Sequence, residues 1–120
     1  MQEPVLRKLF LAFIQVHILH HAQKEPIYGA WMIEELKRHG YEISAGTLYP
    51  IFHNLEKDGL LTAQSVAVGG KVRKYYSITE KGTAVLQAAR EKIGELKGEI
   101  QEREPQAPAE HDLKTTESMV

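Results

Sequence analysis

The 120-residue sequence contains no cysteine, which excludes disulfides, thiolate metal ligands and cysteine nucleophiles. It also lacks a long hydrophobic run, because charged and polar residues interrupt its most apolar segment, VLRKLFLAFIQVHIL. That segment is too short and too polar to cross a bilayer, and no small-residue cleavage site follows it. These absences predict a cytoplasmic protein with no membrane partner.

The sequence also lacks the usual marks of an enzyme. It has no glycine-rich phosphate loop, and no set of serine, histidine and carboxylate stands in a recognisable catalytic context. His111 lies in a polar C-terminal segment with two prolines and no periodicity, which we expect to be disordered. We therefore do not expect an enzyme.

The sequence has little net charge, with a formal value of −1 at pH 7. This value averages two unlike parts of the chain. Residues 104–120 carry four acidic residues and one lysine, a charge of −3, which leaves +2 on the remainder. Basic residues are clustered in that remainder, so the small net charge does not exclude a DNA-binding face.

The spacing of apolar residues predicts four helices and one β-hairpin. Pro26 separates the first two helices, and Ser44 and Thr79 are suitable N-caps for the third and fourth. Gly69 and Gly70 supply the hairpin turn. The expected helices cover 6–22, 28–38, 44–58 and 80–103, and the expected strands cover 60–68 and 71–78.

Three helices followed by a two-stranded hairpin is the layout of a winged helix-turn-helix. The expected fold class is therefore α+β, mostly α, with one helix before the motif and one after it. The first helix is apolar on nearly every side, and such a helix is usually buried all round. In so small a domain one side would cover the core and another would need a partner chain.

Three ordered motifs resemble the PadR family of bacterial transcriptional regulators. They are the Tyr-Gly pair that opens the second helix, SAGTLYPIFHNLEKDGLL, and GGKVRKYYSIT-x-x-G, and together they cover residues 28–82. The resemblance is to the compact branch of the family, which has a short C-terminal dimerisation helix. It implies a winged helix-turn-helix DNA-binding domain over 1–78 and a dimerisation helix over 79–103. The remaining residues, 104–120, are expected to form a disordered polar tail.

The resemblance also implies a homodimer that binds double-stranded DNA and is formed by the last helix with help from the first. A two-fold dimer would bind a palindromic operator. The leading hypothesis is a ligand-responsive repressor. The alternative is a winged-helix protein-interaction module without specific DNA binding.

The candidate DNA contacts on the third helix follow from GTLYP, which the resemblance places in the N-terminal part of a recognition helix. Hydroxyl and backbone N–H groups at a helix N-terminus suit phosphate and base-edge contacts. The alternative is a merely solvated helix face. Pro50 is favoured as a structural residue over a DNA contact. The candidate contacts are Ser44, Thr47, Tyr49 and His53.

The hairpin supplies a second candidate DNA-binding surface, a cationic wing. Alternation places Lys71, Arg73 and Tyr75 on one face and Lys74 on the other. Cations on a protruding wing would bind phosphate in an adjacent groove. The alternative is a solvated hairpin tip whose charge prevents edge-to-edge pairing.

Family members often respond to small aromatic or lipophilic molecules, and Trp31 is a candidate platform for such an effector. The alternative for Trp31 is a half-buried packing residue.

A histidine cluster on the first helix is a candidate site for zinc or a similar divalent metal. His17, His20 and His21 share about a 100° arc of one helix face. Glu35, His39 or the partner chain would complete the coordination shell. The alternatives are separate, locally hydrogen-bonded histidines and a proton-sensitive interface. No cofactor is certain from the sequence.

Overall fold

The computed structural model describes residues 3–102, so the tail expected over 104–120 lies outside the described residues. Four helices and one two-stranded antiparallel sheet follow one another in the expected order within this range. The mostly helical α+β winged helix-turn-helix is therefore confirmed. The elements are α1 (Pro4–Lys24), α2 (Gly29–Arg38), α3 (Ala45–Lys57), β1 (Leu61–Val68), β2 (Lys71–Ile78) and α4 (Glu80–Glu102).

Helix α1 has one buried side and one exposed side. The Glu3 carboxylate accepts hydrogen bonds from the backbone N–H groups of Val5 and Leu6, and Pro4 occupies the first helical position, where no donor is required. The buried residues are Ile14, Ile18, Leu19 and Ala22. The large apolar residues exposed at its start are Val5, Leu6 and Leu9.

Helices α2 and α3 form the helix-turn-helix. Gly40, with a φ of 89°, allows the chain to turn after α2. The Ser44 hydroxyl then accepts a hydrogen bond from the backbone N–H of Thr47 at 3.3 Å and caps α3. Pro50 lies inside α3 and is exposed. The buried residues of the two helices include Met32, Leu36, Leu48, Phe52 and Leu55.

The wing is a β-hairpin with a two-residue turn. Val68 pairs with Lys71, and Gly69 and Gly70 have φ values of 56° and 82°. Two consecutive positive φ angles match a turn whose twist suits antiparallel strands, and glycine adopts them at no steric cost. The register pairs Leu61 with Ile78 at the other end of the hairpin.

The base of the wing is fastened on both sides. Ile27, between α1 and α2, pairs with Tyr76 through two backbone hydrogen bonds of 2.7 and 2.9 Å. The Thr79 hydroxyl donates to the Gly59 carbonyl and accepts from the Gly82 N–H at 2.9 Å. Leu61 and Tyr76 consequently enter the core.

The chain divides into two compact units, the first extending to Ala89 and the second beginning at Arg90. Helix α4 contributes to both. Within residues 3–102 no helix has the length and hydrophobicity required to span a membrane.

Candidate nucleic-acid interface

The predicted contacts on α3 lie on the side of the helix that the core leaves free. Ser44, Thr47 and His53 are exposed, and the Tyr49 residue is 46% exposed. The Ser44 hydroxyl also donates to the Thr47 hydroxyl oxygen at 3.3 Å, so the two side chains form one polar patch at the helix N-terminus. Such a patch presents donors and acceptors where the helix dipole favours an anion.

Tyr49 is positioned by the first residue of α2. Its ring lies directly against Gly29, and a side-chain carbon at position 29 would collide with the phenol. The Phe52 ring lies 6.2 Å away on the core side. Gly29 therefore explains the Tyr-Gly pair in physical terms, since the missing side chain makes room for the exposed aromatic ring of α3.

The wing cations are held on two different faces, as strand alternation predicts. The Arg73 guanidinium lies 4.0 Å from the centroid of the Tyr28 ring, and the Tyr28 and Tyr75 rings meet edge to face at 5.4 Å. A hydrogen bond with Tyr75 raises the pKa of Arg73, which stays charged. Lys71 is exposed beside the turn.

Lys74 points to the opposite face, toward α3. Its ammonium lies 3.8 Å from the Glu56 carboxylate and 5.6 Å from the centroid of the Tyr76 ring. Burial raises the pKa of the Tyr76 phenol above its ordinary value. Lys74 is thus the wing cation that already has an acidic neighbour.

The histidines come together in a set that differs by one member from the sequence prediction. Ligand atoms of His17, His21 and His39 all lie within 4.8 Å of one another. His20 is outside this group, and its ring contacts that of His21 at 4.9 Å. Burial, above all, lowers the pKa of both His17 and His21.

Glu35 lies beside this cluster and is buried. Its Oε2 atom is 3.1 Å from His39 Nε2 and 3.4 Å from His21 Nε2, while Oε1 accepts a 2.7 Å hydrogen bond from Arg38. Burial acts to raise the pKa of Glu35. The hydrogen bond from His39 and the charge of Arg38 outweigh burial, so the pKa lies below its ordinary value.

Trp31 is 38% exposed, and its ring meets that of His21 at 5.3 Å. A groove of about 540 Å³ lies elsewhere, between α1 and the α2–α3 turn, and Trp31 does not line it. Phe10 and Tyr41 line this groove and pack edge to face at 5.9 Å. Ser44 and Thr47 lie at its edge, so the groove reaches the first turn of α3.

Sequence reasoning missed two features of this region. Tyr28 is the platform for Arg73, which no spacing rule connects because the two residues lie on separate elements. His39 is expected from the sequence only to complete a shell of α1 histidines, whereas the structure places it beside His17 and His21 in the position expected for His20. The i,i+4 spacing of Glu35 and His39 was a usable signal, because it matches the spacing of His17 and His21.

Comparison with known proteins identifies the family. The model of the transcriptional regulator PadR-like family matches residues 18–88. The chain is 44% identical to the transcriptional regulator Rv3488 of Mycobacterium tuberculosis over 95 residues, which cover 79% of this chain and 89% of that protein. The resemblance inferred from the sequence motifs is therefore confirmed.

Solved structures agree with this result. A PadR-like transcriptional regulator from Bacillus cereus superposes with a TM-score of 0.75 at 25% identity, over 83% of this chain and 99% of the other. A PadR family transcriptional regulator from Eggerthella lenta gives a TM-score of 0.69 at 29% identity, over 87% of this chain and 96% of the other.

Proposed function

Because this chain belongs to the PadR-like family of transcriptional regulators, we propose that it is a homodimeric repressor. It binds a palindromic operator in double-stranded DNA and leaves it when a small ligand binds. Occupancy of a promoter is sufficient for repression, whereas activation would need an additional surface for the polymerase.

The polar N-terminal patch of α3 is the observation that carries this proposal. Leu48, Phe52 and Leu55 fix one side of the helix in the core. The opposite side of the helix is exposed and carries Ser44, Thr47, Tyr49 and His53. In helix-turn-helix proteins this side of the recognition helix contacts base edges and phosphates. The wing adds Lys71 and Arg73, with Tyr75 beside them, for the phosphate backbone.

Exposed apolar side chains on α1 and α4 support the homodimer. Val5, Leu6 and Leu9 are exposed on α1, and Val85, Ile93, Leu96 and Ile100 are exposed on α4. Burial of such a side chain contributes about 1.5–3 kcal/mol, so a partner copy would cover them with a large gain. A two-fold dimer presents two recognition helices and requires two half-sites related by the same symmetry.

The groove next to α3 supports a response to a ligand. Its aromatic residues Phe10 and Tyr41 suit a small planar or lipophilic molecule, and its edge is formed by Ser44 and Thr47. A molecule in this groove would contact the same first turn that we assign to DNA. Trp31, whose ring contacts that of His21, remains a second candidate platform outside this groove.

Selection of binding sites from a random duplex-DNA library tests the proposal most directly. The purified protein at moderate salt should enrich a two-fold symmetric motif. Replacement of Tyr49 by alanine should abolish enrichment while far-ultraviolet circular dichroism stays unchanged. A folded, dimeric protein that enriches no motif would contradict operator binding and favour a protein-interaction module.

The dimer has its own test. The double substitution Leu96→Asp and Ile100→Asp adds two negative charges to the exposed apolar side chains of α4 and should yield a monomer in sedimentation equilibrium. Lys97→Asp makes the same change in net charge at a neighbouring exposed position and should leave the dimer intact. A double variant that sediments as the wild type does would show that this surface does not hold two copies together.

A further inference from the structure

We propose that His17, His21, Glu35 and His39 form a binding site for one divalent transition-metal ion of the zinc type, between α1 and α2. The site is separate from the DNA-binding surface. Failure of one proposal therefore leaves the other untouched.

The spacing of the four residues brings their side chains together. His17 and His21 are four residues apart on α1. Glu35 lies in the last turn of α2, and His39, four residues later, is the C-cap of that helix. Residues at this spacing lie on the same helix face, one turn apart, which is how paired ligands on a helix hold zinc. The His17 and His39 rings meet across the two helices at 4.9 Å between centroids.

The distances need only a small adjustment to accept an ion. One ligand atom from each of the three imidazoles lies within 4.8 Å of the other two. Glu35 Oε2 is 3.4 Å from His21 Nε2 and 3.1 Å from His39 Nε2. Bonds of about 2.0–2.1 Å in a tetrahedral zinc site place the ligand atoms roughly 3.3 Å apart. Rotation of the side chains would supply the difference, and the His39 side chain, which is 45% exposed, has solvent on one side to turn in.

The donor set selects the class of metal. Imidazole nitrogens with one carboxylate oxygen suit Zn²⁺ and Co²⁺, whereas Mg²⁺ and Ca²⁺ prefer sites made of oxygen alone. Burial favours neutral rings at His17 and His21, and the neutral ring is the form that binds a metal.

Arg38 and the burial of Glu35 pre-organise the site. The Arg38 guanidinium holds Oε1 at 2.7 Å and leaves Oε2 directed at His21 and His39. Outer contacts of this kind fix the orientation of a ligand. The Arg38 side chain is 73% exposed, so solvent screens its positive charge from a bound cation.

A matched pair of histidine variants tests the ligand set in the full chain, prepared without a histidine tag. Titration calorimetry should show one Zn²⁺ per chain for the wild type and no binding of Mg²⁺. His39→Asn should weaken Zn²⁺ binding by at least about tenfold. His20→Asn, the neighbour on α1 that is outside the set, should stay within about twofold of the wild type.

The single tryptophan provides a second, local readout. The Trp31 ring is 5.3 Å from that of His21, so Co²⁺ in this site should quench its fluorescence with the same midpoint as a calorimetric titration with Co²⁺. Glu35→Gln should reduce the affinity for both ions while the thermal unfolding midpoint without metal shows that the variant is folded.

Three outcomes would overturn the proposal. The first is that the wild type does not bind Zn²⁺. The second is that His20→Asn weakens binding as much as His39→Asn does. The third is that neither variant has an effect, which would place the ion elsewhere. A fourth outcome, an unchanged midpoint for Trp31 quenching by Co²⁺ in the His39→Asn variant, would also contradict the assigned ligands.

Discussion

The base and the tip of the wing differ in what holds them. At the base, Leu61 and Tyr76 are buried, and backbone hydrogen bonds tie Tyr76 to Ile27. At the tip, residues 64–72 are exposed on both strands, and the apolar residue Val72 is 75% exposed. The same antiparallel ladder joins both halves.

This difference separates folding from binding within one hairpin. Substitutions at the base remove packing and should change stability. Substitutions at the tip remove exposed groups, so they should change DNA affinity and leave stability unchanged. Arg73 lies between the two, because its guanidinium packs on Tyr28 while its face of the strand is the one that carries Lys71.

Gly82→Ala at the base should have the largest effect. A side-chain carbon at Gly82 would collide with the backbone carbonyl of Leu60 and would lie 2.7 Å from Ile78. Backbone cannot move aside as a flexible side chain does, so we expect a loss of about 3 kcal/mol in the free energy of unfolding. Urea denaturation monitored by circular dichroism measures it.

Gly94→Ala is the matched control for this substitution, since it lies in the same helix and a side-chain carbon there meets nothing within 4 Å. Alanine is the better helix former by about 1 kcal/mol, so this variant should be as stable as the wild type or more stable. A Gly82→Ala variant that is as stable as Gly94→Ala would mean that the base of the wing is not closely packed.

Arg73→Ala, between base and tip, should reduce DNA affinity about tenfold. One phosphate contact fewer should also make the dependence of log affinity on log salt less steep by about 0.9. Arg73→Lys keeps the charge but loses the planar contact with Tyr28. Its DNA affinity should therefore lie between that of the wild type and that of Arg73→Ala. Fluorescence anisotropy at several salt concentrations measures both quantities, and an unchanged slope for Arg73→Ala would remove this residue from the interface.

Lys71→Ala at the tip should have a smaller effect, confined to binding. We expect an affinity loss of about threefold with a change in salt slope like that of Arg73→Ala. The free energy of unfolding should stay within about 0.5 kcal/mol of the wild type, because Lys71 is exposed beside the turn. Lys97→Ala removes the same charge from α4 and serves as the control. A destabilised Lys71→Ala variant would contradict the separation of tip and base.

The elements of the fold were predictable from local signals. Pro26 ends the region of α1, Ser44 caps α3, and the two glycines at 69 and 70 set the hairpin register through their positive φ angles. Apolar spacing on α3 also separated the buried Leu48 and Phe52 from the exposed side of the helix.

Contacts between elements were not predictable in this way. The pairing of His39 with His17 depends on how α2 packs on α1, and the placement of Arg73 on Tyr28 depends on how the wing crosses the start of α2. Strand alternation placed Lys74 on the face opposite Arg73. It gave no information that Glu56 of α3 lies under that face.

Lys74 therefore provides the smallest and most discriminating test. Its ammonium is 3.8 Å from Glu56, with the two side chains 50% and 34% exposed, and such pairs contribute about 0–1 kcal/mol. In a double-mutant cycle of Lys74→Ala and Glu56→Gln, the coupling in unfolding free energy should lie in this range.

Because Glu56 already neutralises part of the charge of Lys74, Lys74→Ala should weaken DNA binding less than Lys71→Ala does. In the Glu56→Gln background the cation is released toward DNA, and the same substitution should then cost more affinity. An equal cost in both backgrounds would show that Lys74 contacts DNA independently of Glu56, and the DNA-binding part of the wing would then include Lys74.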